Sequence, residues 1–258
     1  MTIAERTWPG DPNRPALALH CSMGSSSYWG PIADRLEGVV SLSAFDAPGH
    51  GRSPDWRRAS SGGVDYHTAV TRLAAARIGQ PMDLIGHSLG ATVALRIAVS
   101  APQSVRSLTL IEPVLFAAAP GAEADPLHQR MTRLLEAGQD EEATRAFLSV
   151  WGDGHFDDLP ALTQTRMIQQ IRLVAEANDT LIFDRADILR DGGLEAIGVP
   201  VMLIRGSNSP PVIAQIADAL AARLPDVARA EVPGAGHMLP ITHPYKVADL
   251  IRVNLERS

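Results

Sequence analysis

Short apolar runs rich in β-forming residues alternate along the chain with longer stretches whose apolar positions recur at helical spacing. Residues 16–21, 39–45, 82–86, 105–111, 199–205 and 228–232 predict buried strands. Between them the pattern predicts helices over 64–78, 89–100, 212–224 and 243–256. A further helix carries Trp29, Ile32 and Leu36 on one face, and Gly79 reads as the C-cap that closes 64–78. Strands alternating with helices argue for the α/β class, with a mostly parallel sheet covered on both faces. From about residue 115 to 190 the rhythm breaks. No strand is legible there, and three helical patterns stand near 127–137, 140–150 and 160–177. Met167, Ile171 and Val174 recur at i, i+4 and i+7. The break predicts a helical cap at 115–190 inserted into a core built from 1–114 and 191–258.

Composition narrows this little. The chain has 258 residues, 45% hydrophobic and 20% charged, as an ordinary globular protein does. A formal net charge of -6 leaves no basic footprint for nucleic acid or an anionic membrane, so neither partner is expected. Cys21 is the single cysteine, which rules out an internal disulfide and a multi-cysteine metal cluster. No metal or cofactor is expected. No apolar run is long enough to span a bilayer, and the first residues lack a basic head followed by an apolar stretch. The expected compartment is therefore the cytoplasm.

The strongest chemical signal is Gly86-His87-Ser88-Leu89-Gly90, a Gly-x-Ser-x-Gly pentapeptide between a predicted strand and a small-residue helix. A turn this tight needs residues without bulk two positions before and after the serine, and Gly86 and Gly90 supply them. The bland alternative is a glycine-flanked N-cap serine. Serine needs a base to become a nucleophile. His237, in the loop 233–238 after the last predicted strand, is the candidate. His243 competes but opens the last helix beside Pro244. His20 and His87 flank the site and are expected to shape it, and His50 sits in a Gly/Pro turn. His128 and His155 belong to the insert, and His67 has no assigned role.

Taken together, residues 20–24, 46–53, 86–90 and 234–237 resemble the α/β-hydrolase superfamily. The resemblance covers nearly all of the chain outside the insert. It implies an eight-stranded-type sheet, a Ser-His-acid triad and a small-molecule acyl substrate. Two departures stand out. The loop after the first long strand reads His20-Cys21 where the family has His-Gly. The family's acid normally ends the strand after the insert, yet residues 201–210 hold no Asp or Glu. Asn208 or Ser209 stands in that place. Glu112, ending the strand right after the elbow helix, is the favoured acid, and a water-assisted dyad oriented by Asn208 is the alternative. The oxyanion donors are expected to be the backbone N–H groups of Leu89 and Ser22. Cys21 is a bystander. Trp29, Met23, Trp151 and Phe156 are candidates for an apolar acyl pocket and equally for the core.

The expected reaction is two-step acyl transfer through an acyl-enzyme on Ser88, as in a carboxylesterase. Thioester hydrolysis, carbon–carbon bond hydrolysis and cofactor-free perhydrolysis could use the same triad. A non-catalytic small-ligand receptor of the same fold is the rival of another class.

Overall fold

The computed structural model describes residues 2–56, 62–121 and 125–258. Residues 1 and 57–61 of the expected core, and 122–124 of the expected insert, lie outside the described residues. The described strands are β1 (Glu5–Trp8), β2 (Pro15–Leu19), β3 (Ser41–Phe45), β4 (Met82–His87), β5 (Val105–Ile111), β6 (Val201–Gly206) and β7 (Val227–Val232). They form one seven-stranded sheet in the order β1-β3-β2-β4-β5-β6-β7. The sheet is parallel except for β1, which pairs antiparallel with β3. It has one strand fewer than the eight of the type. β1 gave no sequence signal, because an edge strand with the burial of Glu5–Trp8 shows no apolar run.

Successive side chains of a strand point to opposite faces, and both faces here are dry. Ala16 and Ala18 of β2, with Ile85, Ile111 and Ile204, pack against α1 (Gly30–Arg35) and α9 (Pro244–Leu255). Leu17 and Leu19, with Leu84, Leu108 and Leu203, pack against α2 (Tyr66–Ala75), α3 (Leu89–Ser100) and α7 (Pro211–Ala221). Burial on both faces explains why β2 reads as an unbroken apolar run and why β4 and β5 are rich in apolar residues. α2 starts on Asp65, whose side chain accepts from the Thr68 N–H. It stops at Ala75 with Ala76 as C-cap, so Gly79 lies in the turn beyond and does not cap it.

Between β5 and β6 stand α4 (Pro126–Glu136), α5 (Asp140–Trp151) and α6 (Ala161–Phe183). Met131, Ala143, Ile171 and Val174 form their own small core. α8 (Leu239–Thr242) leads into α9. No described helix is long and apolar enough to cross a membrane.

The topology places the site. From β2 the chain moves outward to β3, then returns to β4 on the other side of β2. The loops after β2 and β4 therefore part at their carboxyl ends and leave a crevice there. Ser88, Glu112, the 206–209 segment and the His237 loop all follow the carboxyl ends of β4, β5, β6 and β7.

Candidate active site

β4 ends at His87 and α3 begins at Leu89, so Ser88 alone makes the turn, at φ 56° and ψ -116°. For a residue with a Cβ this conformation costs about 1–3 kcal/mol and persists only where its surroundings enforce it. The flanking glycines show how. A Cβ on Gly86 would lie 2.4 Å from the Gly90 carbonyl oxygen, and one on Gly90 would lie 2.2 Å from the Leu19 carbonyl oxygen. Gly86 lets the turn close, and Gly90 lets α3 rest against the end of β2.

The structure brings Ser88, His237 and Glu112 together. Nε2 of His237 is 3.0 Å from the Ser88 Oγ, and Nδ1 is 2.9 Å from Glu112 Oε2. With a carboxylate as its partner, Nδ1 carries the proton, and Nε2 is left bare toward the hydroxyl. Glu112 is fully buried and sits at φ 51°. Its other oxygen, Oε1, accepts from the Gly206 N–H at 2.6 Å and the Ser209 hydroxyl at 2.7 Å. These bonds offset the cost of holding a carboxylate away from water. Asn208 donates instead to the Gly234 carbonyl at 3.1 Å. The segment after β6 thus braces the carboxylate through Ser209.

The loop after β2 is held from several sides. The Cys21 N–H donates to the Tyr28 hydroxyl at 3.1 Å, the Met23 N–H to His50 Nε2 at 2.9 Å, and the Gly24 N–H to the Cys21 carbonyl at 3.1 Å. Among the described residues, the Ser22 N–H is the one in this stretch left without a protein partner. Ser22 and Ser88 line the same cavity. The Leu89 N–H, as the first of α3, has no partner within the helix. His20 anchors the loop to its neighbour. Its Nδ1–H donates to the Cys21 carbonyl at 2.7 Å, and its Nε2 accepts from the Ala47 N–H at 2.9 Å. Burial lowers the pKa of His20 and takes that of His50 down to about 3, so both stay neutral and can accept these N–H groups. Burial pushes the Cys21 thiol up to about 12, which removes it as a nucleophile near neutrality.

A second line of hydrogen bonds runs behind the site. The Tyr28 hydroxyl lies 3.1 Å from His87 Nδ1, and His87 Nε2–H donates to the main-chain carbonyl of His237 at 2.9 Å. With the bond from Cys21, this line ties the loop after β2 to the loop that carries the imidazole. The roles of Tyr28 and His50 had no sequence signal, since each acts through a contact that only the folded chain creates, whereas Ser209, standing where the family's acid is expected, donates to Glu112 instead. His67 is buried against Thr92 Oγ1, and the His243 ring lies against its neighbour Thr242.

Ser88 and His237 open into a cavity of about 200 Å³, lined by Met23, Phe147, Trp151, Phe156, Met167 and other residues. The Trp151 ring stands edge-on to the His237 ring at 4.8 Å. Trp29 is not part of this cavity. It is fully buried with Ile32 and Leu36 beneath α1, where core packing claims it. His155 lines the cavity, and His128 lines a neighbouring one. Among the described residues, no cluster of three or more His, Cys, Asp or Glu is placed to hold a metal ion.

The alpha/beta hydrolase family matches residues 16–250 of the chain. A lipase, LipV, of Mycobacterium tuberculosis is 29% identical, covering 97% of this chain and 96% of its own length. A pimeloyl-[acyl-carrier protein] methyl ester esterase of Methylococcus capsulatus is 30% identical, covering 86% of this chain and 87% of its own. The solved structure of a thermophilic esterase from Thermogutta terrifontis superposes with a TM-score of 0.73 at 19% identity, over 98% of this chain and 93% of that one.

Proposed function

The chain belongs to the alpha/beta hydrolase family, and from that premise we propose that it is a serine hydrolase cleaving a carboxylic ester of a small molecule. The observation that carries the reading is the unbroken line Ser88 Oγ, His237, Glu112, with contacts of 3.0 and 2.9 Å. His237 Nε2 takes the hydroxyl proton as Ser88 attacks the ester carbonyl. The charge that builds on the carbonyl oxygen is held by the N–H groups of Ser22 and Leu89. His237 returns the proton to the leaving alcohol, then activates the water that releases the acyl group from Ser88. Glu112 keeps the proton on Nδ1 and stabilises the imidazolium that forms. The ester-cleaving relatives support the substrate type.

The helices of 115–190 act as a cap over a core of 1–114 and 191–258. α5 and α6 supply Phe147, Trp151 and Met167 to the wall of the cavity that Ser88 also lines.

Steady-state assays with activated esters, thioesters and carbon–carbon cleavage substrates test the proposal. Ester turnover that disappears in Ser88→Ala and His237→Ala supports it. A preference for another bond would move the assignment to that reaction, and no turnover of any would favour a receptor.

A further inference from the structure

Two cavities flank α5. The one that holds Ser88 measures about 200 Å³, and its neighbour, between α4, α5, α6 and the start of α7, measures about 560 Å³. Phe147 and Trp151, one helical turn apart, line both cavities. Their rings therefore form the wall between them. The wall is braced, since Trp151 packs on Phe116 at 5.8 Å on one side and on His237 at 4.8 Å on the other.

The volumes decide what each side can hold. A cavity of about 150 Å³ accepts benzene, so 200 Å³ admits a ring-sized group or a short chain. Pockets for larger organic ligands usually run from about 300 to 1,000 Å³, and the neighbouring 560 Å³ falls in that range. Its walls are largely apolar, with Leu127, Met131, Val174 and Ile182 among them.

We propose that Phe147 and Trp151 are a size-limiting partition, which makes the substrate an ester with a compact acyl group, and that opening the partition would admit a long acyl chain into the larger cavity. The proposal rests on the reading of Ser88 as nucleophile. Phe147 is the place to test it, because Trp151 touches His237.

The measurement is kcat/KM for p-nitrophenyl butanoate and decanoate, normalised to sites labelled by a fluorophosphonate. The wild-type protein favours butanoate. Phe147→Ala raises the decanoate-to-butanoate ratio at least about tenfold, in keeping with the discrimination a single methylene can provide in an apolar pocket. Phe147→Leu, which is easier to fold, moves the ratio the same way by less. Adding Val212→Phe, which narrows the larger cavity, removes the gain. An unchanged ratio in the folded variants, or a gain that survives Val212→Phe, overturns the partition. A wild-type protein that hydrolyses neither ester and takes no label fails at Ser88 instead, which separates the two claims.

Discussion

His87, the residue before the proposed nucleophile, donates from Nε2 to the main-chain carbonyl of His237 across 2.9 Å. The strand that presents the hydroxyl thus also holds the loop that presents the imidazole. Tyr28 fixes the other ring nitrogen of His87 and accepts the Cys21 N–H. Tyr28→Phe strips both groups of their partner, an expected loss of about 1–3 kcal/mol of stability. If this line positions His237, kcat falls about tenfold, equivalent to about 1.4 kcal/mol, while KM changes little. Urea unfolding and steady-state kinetics read the two effects apart. A stability loss with unchanged kcat would make the network purely structural.

Glu112 and Asn208 separate by a similar comparison. Glu112→Gln loses the charge that stabilises the imidazolium, and turnover drops at least about a hundredfold. Asn208→Ala, which loses a bond to the Gly234 carbonyl, does much less. Ser209→Ala falls between, because it removes one of the donors to Glu112. The reverse ranking in kcat/KM would move the orienting role to the segment after β6.

Much of this arrangement is legible in the chain, for physical reasons. The strands β2, β4 and β5 announce themselves because burial on both faces keeps them rich in apolar residues. The elbow announces itself because backbone lies where the side chains of residues 86 and 90 would go. Glu112 is legible only as a carboxylate directly after an apolar strand. Its partners come from Gly206, Ser209 and His237, 94 to 125 residues away. Tyr28 and His50 are silent because their contacts depend on how two loops meet. β1 is silent because an exposed edge has no apolar pattern, and Trp29 misleads because size and apolarity suit a pocket and a core equally.

Two glycine substitutions of equal size separate space from entropy. Gly90→Ala drives a Cβ into the Leu19 backbone and destabilises the fold by several kcal/mol, at the high end for point substitutions of about 4–5 kcal/mol. Gly198→Ala meets nothing within 4 Å and shifts stability by less than about 1 kcal/mol. Equal melting temperatures for the two variants would contradict the close approach of α3 to β2.

Stability falls as pH drops below about 6.5. Burial holds His50 and His67 down to about 3, and lowers His20 and His87 as well. The unfolded chain binds protons at these positions near pH 6.5, whereas the folded chain does not, so acid favours unfolding. Each of His50 and His67 removes about 2 kcal/mol by about pH 5. Urea unfolding at pH 7 and pH 5 checks this, and equal midpoints would show that these rings take up protons in the folded state.

The most direct test of the central claim is the intact mass of the protein after exposure to a fluorophosphonate. One adduct per chain is expected, mapped by peptide sequencing to Ser88, absent in Ser88→Ala and strongly slowed in His237→Ala. Labelling at another residue, or no adduct on a folded wild-type chain, would contradict it.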